Sequence, residues 1–529
     1  KAGFSTDEIT GVVAGYLMDL GRTEETETLL NKTNNVGSLA RLALIKGDFR
    51  TASSLSSQEL QRRSDHGSPH DQFYVYTGLG KTYQAMKDYP KAQEAFQAAV
   101  EASEKIAATL APSDRKRFFD TKINGFEPSE AYKGLALAKF RLNNPEGALA
   151  VSDLLKSRRF ASYMSDGATS KKYGLPRDLF TRETELVNRM AALRKELNST
   201  DKQKHKTKYD NLSVLINQSE KEFSGLTEEI RRRFPAYASI KYPKPFKLTE
   251  ILINPEDYVI VFSIFDEGIA RQLIHGNKII RSDFINRPLK DLEADVGAFR
   301  KNLADTNLQK FNPDLASSLF TSLFQGVLEN VPEGASLRII SDGMLNLMPL
   351  DALVMTKKTD LSQTEIPEKS GSTGNDPPSS NFFGDHYRLS LHQSISSITM
   401  AKTASSKIRP PGNVLVLADP IFSRKDDRFD SSAPAPKSDT AGNLRAETAG
   451  FLNNSESGFD LSSRMMNFSP VFQSLEKIFP GRFTMLSGAK AGKSDLMTRV
   501  SQNSDGFGNI IFGAPVTTTD SFPVVMEPF

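Results

Sequence analysis

Over the first 160 or so residues the hydrophobic positions recur at three- and four-residue steps in short blocks, the spacing of amphipathic helices. In YTGLGKTYQAMKDYPKAQEAFQAAV, residues 76–100, this places Tyr76, Leu79, Gly80 and Tyr83 on one helix and Ala92, Phe96 and Ala99 on the next. The small residues among them let two antiparallel helices approach closely. AYKGLALAKFRLNNPEGALAVSDLL keeps Tyr132, Leu135, Ala136 and Ala148 in the matching places and carries Ser152 where an aromatic would stand. Upstream, YLMDLGRTEETETLL and LALIKGDFRTASSL each read as an apolar helix, a Gly-containing turn and a second helix. Beyond residue 176 the blocks lengthen. Leu179, Leu186, Met190, Leu193 and Leu197 form one stripe, NSTDKQKHKTK interrupts it, and Leu212, Leu215, Phe223, Leu226 and Ile230 resume it, which predicts a helical hairpin with a charged, solvated tip at Lys202 to Lys208.

After FPAYASIKYPKPF the pattern changes. YVIVFSIFD (258–266) is a continuous apolar run, and with IARQLIHG beyond the Glu267-Gly268 turn it predicts a β-hairpin. Helices around PLKDLEADVGAFRKNL and DLASSLFTSLFQGVL lead to a buried strand, LRIIS, stopped by Asp342-Gly343. NVLVLAD predicts another strand, SPVFQSLEKIF a helix, and Asn509 to Phe512 a last strand stopped by Gly513 to Pro515. Thr517 to Asp520 then read as a polar loop with no closing strand behind it. Strands alternating with helices predict a mostly parallel sheet whose sites lie at the carboxyl ends of its strands. The fold class expected is therefore α plus α/β: an N-terminal α-solenoid of helical repeats over 1–175, a helical hairpin linker over 176–240, and an α/β sheet domain over 241–529.

Composition narrows the chemistry. The 67 Lys and Arg nearly cancel 64 Asp and Glu, which argues against nucleic acid or an anionic membrane as partner. No apolar run approaches the roughly 20 residues of a membrane span, and KAGFSTDEIT lacks the apolar core of a signal peptide. A start at Lys1 reads as a fragment or processed form, and the compartment stays open, with the cytoplasm favoured. There are no cysteines, so disulfides, thiolate metal sites and cysteine nucleophiles are excluded within these residues. Of the six histidines only His66 and His70 stand at His-x3-His spacing, in a loop set by Gly67 and Pro69 rather than on a helix.

The block at 76–100 has the spacing of a tetratricopeptide repeat. SLRIISDGMLNLMPLDAL closely resembles the central signature of CHAT domains, the caspase-like modules found attached to such repeats. FPAYASIKYPKPFKLTEI, HYRLSLHQSISSI, VLVLADPIF and TMLSGAKAGKSDL resemble further CHAT segments in the expected order, and NPEGALAVSDLLKSRRF resembles the repeat preceding them. The resemblance covers about residues 130 to 529. It implies a caspase-like sheet and a cysteine peptidase of the caspase and separase type, with a histidine base after one strand and a cysteine after the next. Aligning FGAPV on the histidine phrase puts Pro515 where the imidazole belongs, and the cysteine-bearing strand falls beyond Phe529.

GAKAGKSD has three residues between Gly488 and Gly492 where a phosphate loop needs four, and it reads as a turn with Ser494 capping a helix. Asp385-His386 lies near serines but lacks a Gly-x-Ser-x-Gly elbow, so His386 reads as structural. The segments 362–381 and 423–443, rich in Ser, Pro and Gly, read as mobile insertions. No catalytic, cofactor-binding or metal residue is assigned, and no cofactor is expected. The expected function is protein binding by an inactive member of the CHAT type. The partner is a protein or peptide in the repeat groove, with no nucleic acid and no membrane. A remaining C-terminal segment of the same protein is a further candidate partner. The alternative is the larger portion of a genuine cysteine endopeptidase whose catalytic segment is truncated, cleaved off or altered.

Overall fold

The computed structural model describes most of residues 6–355, then 381–398, 413–420, 480–488 and short stretches up to residue 525. It is α plus α/β and divides into two compact units, Lys1–Ser406 and Lys407–Phe529.

The first unit opens with four helix pairs: α1 (Thr6–Asp19) with α2 (Thr23–Leu30), α3 (Val36–Ile45) with α4 (Phe49–Arg63), α5 (Pro69–Ala85) with α6 (Tyr89–Ala107), and α7 (Pro128–Arg141) with α8 (Pro145–Tyr163). One turn is used four times. A left-handed residue ends the first helix of each pair: Gly21 at φ 72°, Gly47 at 78°, Lys87 at 60° and Asn143 at 58°. The next amide reaches back five residues, Arg22 N–H to Leu17 O, Asp48 to Ala43, Asp88 to Tyr83 and Asn144 to Lys139, each at 2.9 Å. This is the helix stop in which a left-handed residue lets two amides satisfy carbonyls of the last turn. In three of the four turns that same residue then starts the second helix: Asp48, Asp88 and Asn144 accept from the amides of Thr51, Lys91 and Gly147. The close approach anticipated at Gly80 centres on Phe96. A Cβ at Gly80 would lie 2.6 Å from its ring, and one at Gly134 2.3 Å, so Phe96 is clamped between two side-chain-free helix surfaces. Tyr76 and Tyr83 are half-buried against neighbouring apolar clusters, with the Lys91 ammonium 5.5 Å from the Tyr83 ring.

The hairpin consists of α9 (Arg177–Ser199) and α10 (Lys206–Arg233), closed by α11 (Pro235–Lys241). Its apolar stripe is inward at Leu179, Leu186, Met190, Leu212, Leu226 and Ile230. Leu215, expected in that stripe, points outward and Ile216 takes its place, because a helix of 3.6 residues per turn drifts off a fixed three-step register. Glu183 is buried here and accepts from the hydroxyls of Tyr237, at 2.7 Å, and Tyr242.

A five-stranded sheet follows, in the order β3-β2-β1-β4-β5. Its strands are β1 (Asp257–Phe265), β2 (Gly268–His275), β3 (Lys278–Ile285), β4 (Ser336–Ile340) and β5 (Arg388–His392). β1, β2 and β3 form an antiparallel meander, and β4 lies parallel to both β1 and β5. β3 has no counterpart in the reading of the sequence: KIIRSDFI mixes charged with apolar residues at an edge, where one side is exposed. Its Asp283 anchors it, accepting two bonds at 2.8 and 2.7 Å from the buried Arg271 of β2.

From Tyr258 to Phe265 β1 is apolar but for Ser263, because both of its faces are covered. Ile260, Phe262 and Ile264 pack on α12 (Leu289–Ala304) and α13 (Pro313–Phe324). Val259 and Val261 face the other way, clustering with Leu149 of α8, while Phe265 joins the cluster of Phe96, Tyr132 and Leu155. The second layer on this sheet is thus supplied by the last helix pair.

In the second unit β6 (Asn413–Pro420) lies between β7 (Phe483–Gly488) and β8 (Phe507–Gly513), all parallel. Where a loop with no closing strand was expected, β9 (Val516–Thr519) pairs antiparallel with β10 (Phe522–Val525). The β-branched run Val-Thr-Thr-Thr suits an extended backbone, and Val524-Val525 supply a partner. Pro515, residues 489–494, residues 423–443 and all of 362–381 except Asn381 lie outside the described residues.

Candidate functional site at the carboxyl edge of the sheet

The parallel strands β1, β4 and β5 end at Phe265, Ile340 and His392, the edge at which such sheets place their sites. Asp342, just beyond β4, joins the strand ends: its carboxylate accepts from the Ile264 amide at 2.8 Å and the Gly343 amide at 3.0 Å. Helix α8 crosses this edge. Its Lys156 donates from Nζ to the Phe262 carbonyl at 2.5 Å. One turn earlier its Asp153, fully buried, accepts from the Ile395 amide at 2.5 Å, the Ser396 amide at 3.3 Å and the Ser396 hydroxyl at 2.7 Å. Asp153 therefore caps the helical turn that follows β5 with a side chain from a helix more than 240 residues earlier.

Burial pushes the Lys156 ammonium below its ordinary value of 10.5, and the carboxylates of Asp342 and Asp153 pull it back part of the way. Burial pushes the Asp153 carboxyl above its ordinary 3.8 against the pull of its bonds from Ser396 and Ile395. Lys133, Ser152, Lys156, Ser263 and Asp342 border a cavity that leaves about 10 Å³ for the centre of a water-sized sphere, room for a single water. A lysine bonded to a backbone carbonyl and carboxylates saturated by backbone amides are poor nucleophiles and bases. Chemically, this cluster fastens α8 to the ends of β1, β4 and the turn after β5.

The histidines are engaged elsewhere. His392 Nε2 lies 3.2 Å from Ser390 Oγ, a serine–histidine pair, but the same nitrogen faces Arg338 Nη1 at 3.4 Å. Where a hydrolytic triad has a carboxylate to stabilise an imidazolium, a guanidinium stands here. Burial and then Arg338 hold the imidazole below its ordinary 6.5, and Arg338 is itself bound to Asp257 at 2.6 Å. His275 stacks on Tyr258 with ring centres 4.1 Å apart. His386 sits in the short helix α14 (Phe383–His386), its two ring nitrogens against Glu333 and Asn381. His70, read as a loop residue, lies instead in the first turn of α5, because Ser68 caps that helix and Pro69 suits its first position, while His66 is outside the described residues. Among the described residues no group of three His, Asp or Glu side chains is arranged to hold a metal ion. No described helix is long and apolar enough to cross a membrane.

Asp153 and Lys156 escaped the reading of the sequence, and Asp342 was read only as a strand stop. One signal was present: Asp153 interrupts the largely apolar stretch Ala148 to Leu155 and Lys156 follows it, three residues apart on one helix face. What they bind was not legible. Compared with known proteins, the sequence matches no family model, and no curated protein matches it.

Proposed function

We propose that the chain is a repeat-plus-CHAT protein that acts through protein binding and has no peptidase activity of its own. In this reading tetratricopeptide-like repeats occupy 1–175, a hairpin linker 176–240 and a caspase-like CHAT domain 241–529. The observation that carries it is the use made of SLRIISDGMLNLMPLDAL. Its strand is β4, its Asp342 ties β4 to β1, and its Leu345, Met348, Leu350 and Leu353 are all buried in the cluster under the sheet. A string that places Leu337, Ile339, Ile340, Leu345, Met348, Leu350 and Leu353 in the core supports its reading as a family signature. The fourfold turn of the helix pairs supports the repeat reading, since stacked identical units need identical turns.

Peptide hydrolysis of the caspase type needs a thiolate and an imidazole in contact. The chain has no cysteine, and FGAPV has Pro515 in the histidine's place. Loss of either partner of such a dyad removes on the order of 10³ to 10⁶ in rate. The test is incubation of the purified chain with a fluorogenic peptide library, where turnover should equal that of a heat-treated control. Cleavage that survives a chelator and disappears when Thr517, Thr518 and Thr519 are replaced by alanine would overturn the reading by revealing a hydroxyl nucleophile.

A further inference from the structure

The connection between α6 and α7 turns back across the leading helices of the earlier pairs. It is anchored at both ends. Phe118 and Phe119 are buried in the cluster of Phe96 and Tyr132, and the Ser129 amide, in the first turn of α7, donates to the Phe119 carbonyl at 3.2 Å. Between these anchors the Lys122 ammonium lies 3.2 Å from the Asp19 carboxylate at the end of α1. Gly125 presses against the Arg41 guanidinium of α3, and the buried Phe126 ring lies 5.6 Å from the Tyr74 ring of α5. One short strap thus touches the leading helices of three successive pairs.

The recess under Phe126 is made by a residue without a side chain. Gly78 of α5 leaves the ring its place, since a Cβ there would already be 3.8 Å from it. Arg41 and Lys81 stand 5.6 and 5.7 Å from the ring centre, within reach of a cation–π contact. The charges around the ring are paired: Arg41 and Lys122 with Asp19, Lys81 with Glu130, and the buried Glu59 with Arg62. What the recess selects is therefore an uncharged aromatic side chain. Phe126 does not fill it, for the adjoining cavity bordered by Gly37, Glu59 and Tyr74 leaves about 10 Å³ for the centre of a water-sized sphere.

The strap's backbone bonds are local. The Thr121 amide reaches the Phe118 carbonyl at 3.4 Å, and Ile123 and Phe126 exchange two bonds at 2.8 and 3.2 Å around a turn in which Gly125 has φ 97°. Side chains make the contacts with α1 and α5, and the Lys122–Asp19 pair among them is half exposed. A tethered segment stays in such a place at an effective concentration of the order of millimolar, without needing a tight fit. A free segment of the same shape can then replace it. We propose that Asp120 to Phe126 is the resident occupant of a peptide site on the leading helices. The site takes a partner segment of the same chemistry, a glycine in a tight turn followed by an aromatic residue. This rests on the reading that the repeats bind a protein segment.

The test uses the full chain and a fluorescent peptide of residues 120–127, DTKINGFE. The wild type, whose own strap competes, is expected to bind it weakly, and Phe126→Ala at least about tenfold more tightly. Lys122→Glu turns the contact with Asp19 into a repulsion without touching the core, and should raise affinity about two- to fivefold. It carries the test by itself if Phe126→Ala fails to melt cooperatively. Phe126→Ala/Gly78→Leu, in which leucine fills the recess, should not bind. A peptide with alanine for its glycine should bind Phe126→Ala more weakly, because the turn needs a left-handed residue. Equal affinity of the wild type, Phe126→Ala and Lys122→Glu would overturn the strap as occupant while leaving a peptide site on the repeats. Binding that survives Gly78→Leu, or no binding by either opened variant, would overturn the site itself. The absence of peptidase activity is read separately, by the fluorogenic library.

Discussion

Lys156 and Asp342 are close in space, yet replacing one should differ sharply from replacing the other. Lys156→Met keeps the stem and trades one bond to the Phe262 carbonyl for relief from holding an ammonium out of water, so its cost should stay within about 1 kcal/mol. Asp342→Ala strips the acceptor from the Ile264 and Gly343 amides and removes the carboxylate that pulls hardest on the ammonium, at a cost of about 2–4 kcal/mol. Urea unfolding of the two variants measures both, and a larger loss for Lys156→Met would show that the lysine, not the aspartate, holds the edge together. The imidazoles set the acid limit. Burial, then Arg338, depresses His392, and burial, then Arg194, depresses His70, both from 6.5. The unfolded chain takes up these protons near pH 6.5 while the folded chain declines them until lower pH. Stability therefore falls as pH drops below about 6.5 and levels off once the folded imidazoles protonate. His392→Asn should flatten part of that decline, and an unchanged slope would count against the assignment. Asp283 acts lower: burial raises its carboxyl, but Arg271 and Arg281 outweigh this and hold it below 3.8, so its contribution is present above 3.8 and is lost on further acidification.

At the scale of elements the repeated turn offers a test free of packing effects. Lys87 adopts the same left-handed backbone as Gly47 without glycine's tolerance for it. Lys87→Gly should raise stability by about 1 kcal/mol, and Gly47→Ala, where nothing lies within 4 Å of the added methyl, should lower it by a similar amount. Thermal melts of both variants decide it, and a destabilising Lys87→Gly would mean that the turn stores no strain. This element also shows how far a local pattern can be read. The helix pairs were legible because their apolar spacing and their glycines at 21 and 47 are local features. The equivalent turns at Lys87 and Asn143 were not, because neither residue announces a left-handed conformation. β3 and the β9–β10 pair were missed for a related reason: a strand's identity depends on the strand beside it.

At the scale of the whole first unit, α8 belongs to two layers at once, closing the helix array and covering the face of the sheet formed by Val259, Val261, Ile274 and Ile340. A fragment of residues 241–406 lacks that cover. It should bind a hydrophobic dye and unfold without a cooperative transition, whereas residues 69–406 should unfold in a single step. Cooperative unfolding of the shorter fragment would make α8 a neighbour rather than part of the domain.

By itself the sequence determined the α plus α/β order of elements, the helical pairs, the continuous apolar run of β1 and the absence of a thiol. Each of these is a matter of composition or of residues within one or two turns of each other. The tertiary structure alone decided that Asp153 caps a turn at Ser396 and that Lys156 donates to the Phe262 carbonyl in the cavity it shares with Asp342. Those outcomes join positions up to about 240 residues apart, and no spacing rule within a single segment encodes which distant backbone group a buried charge will find.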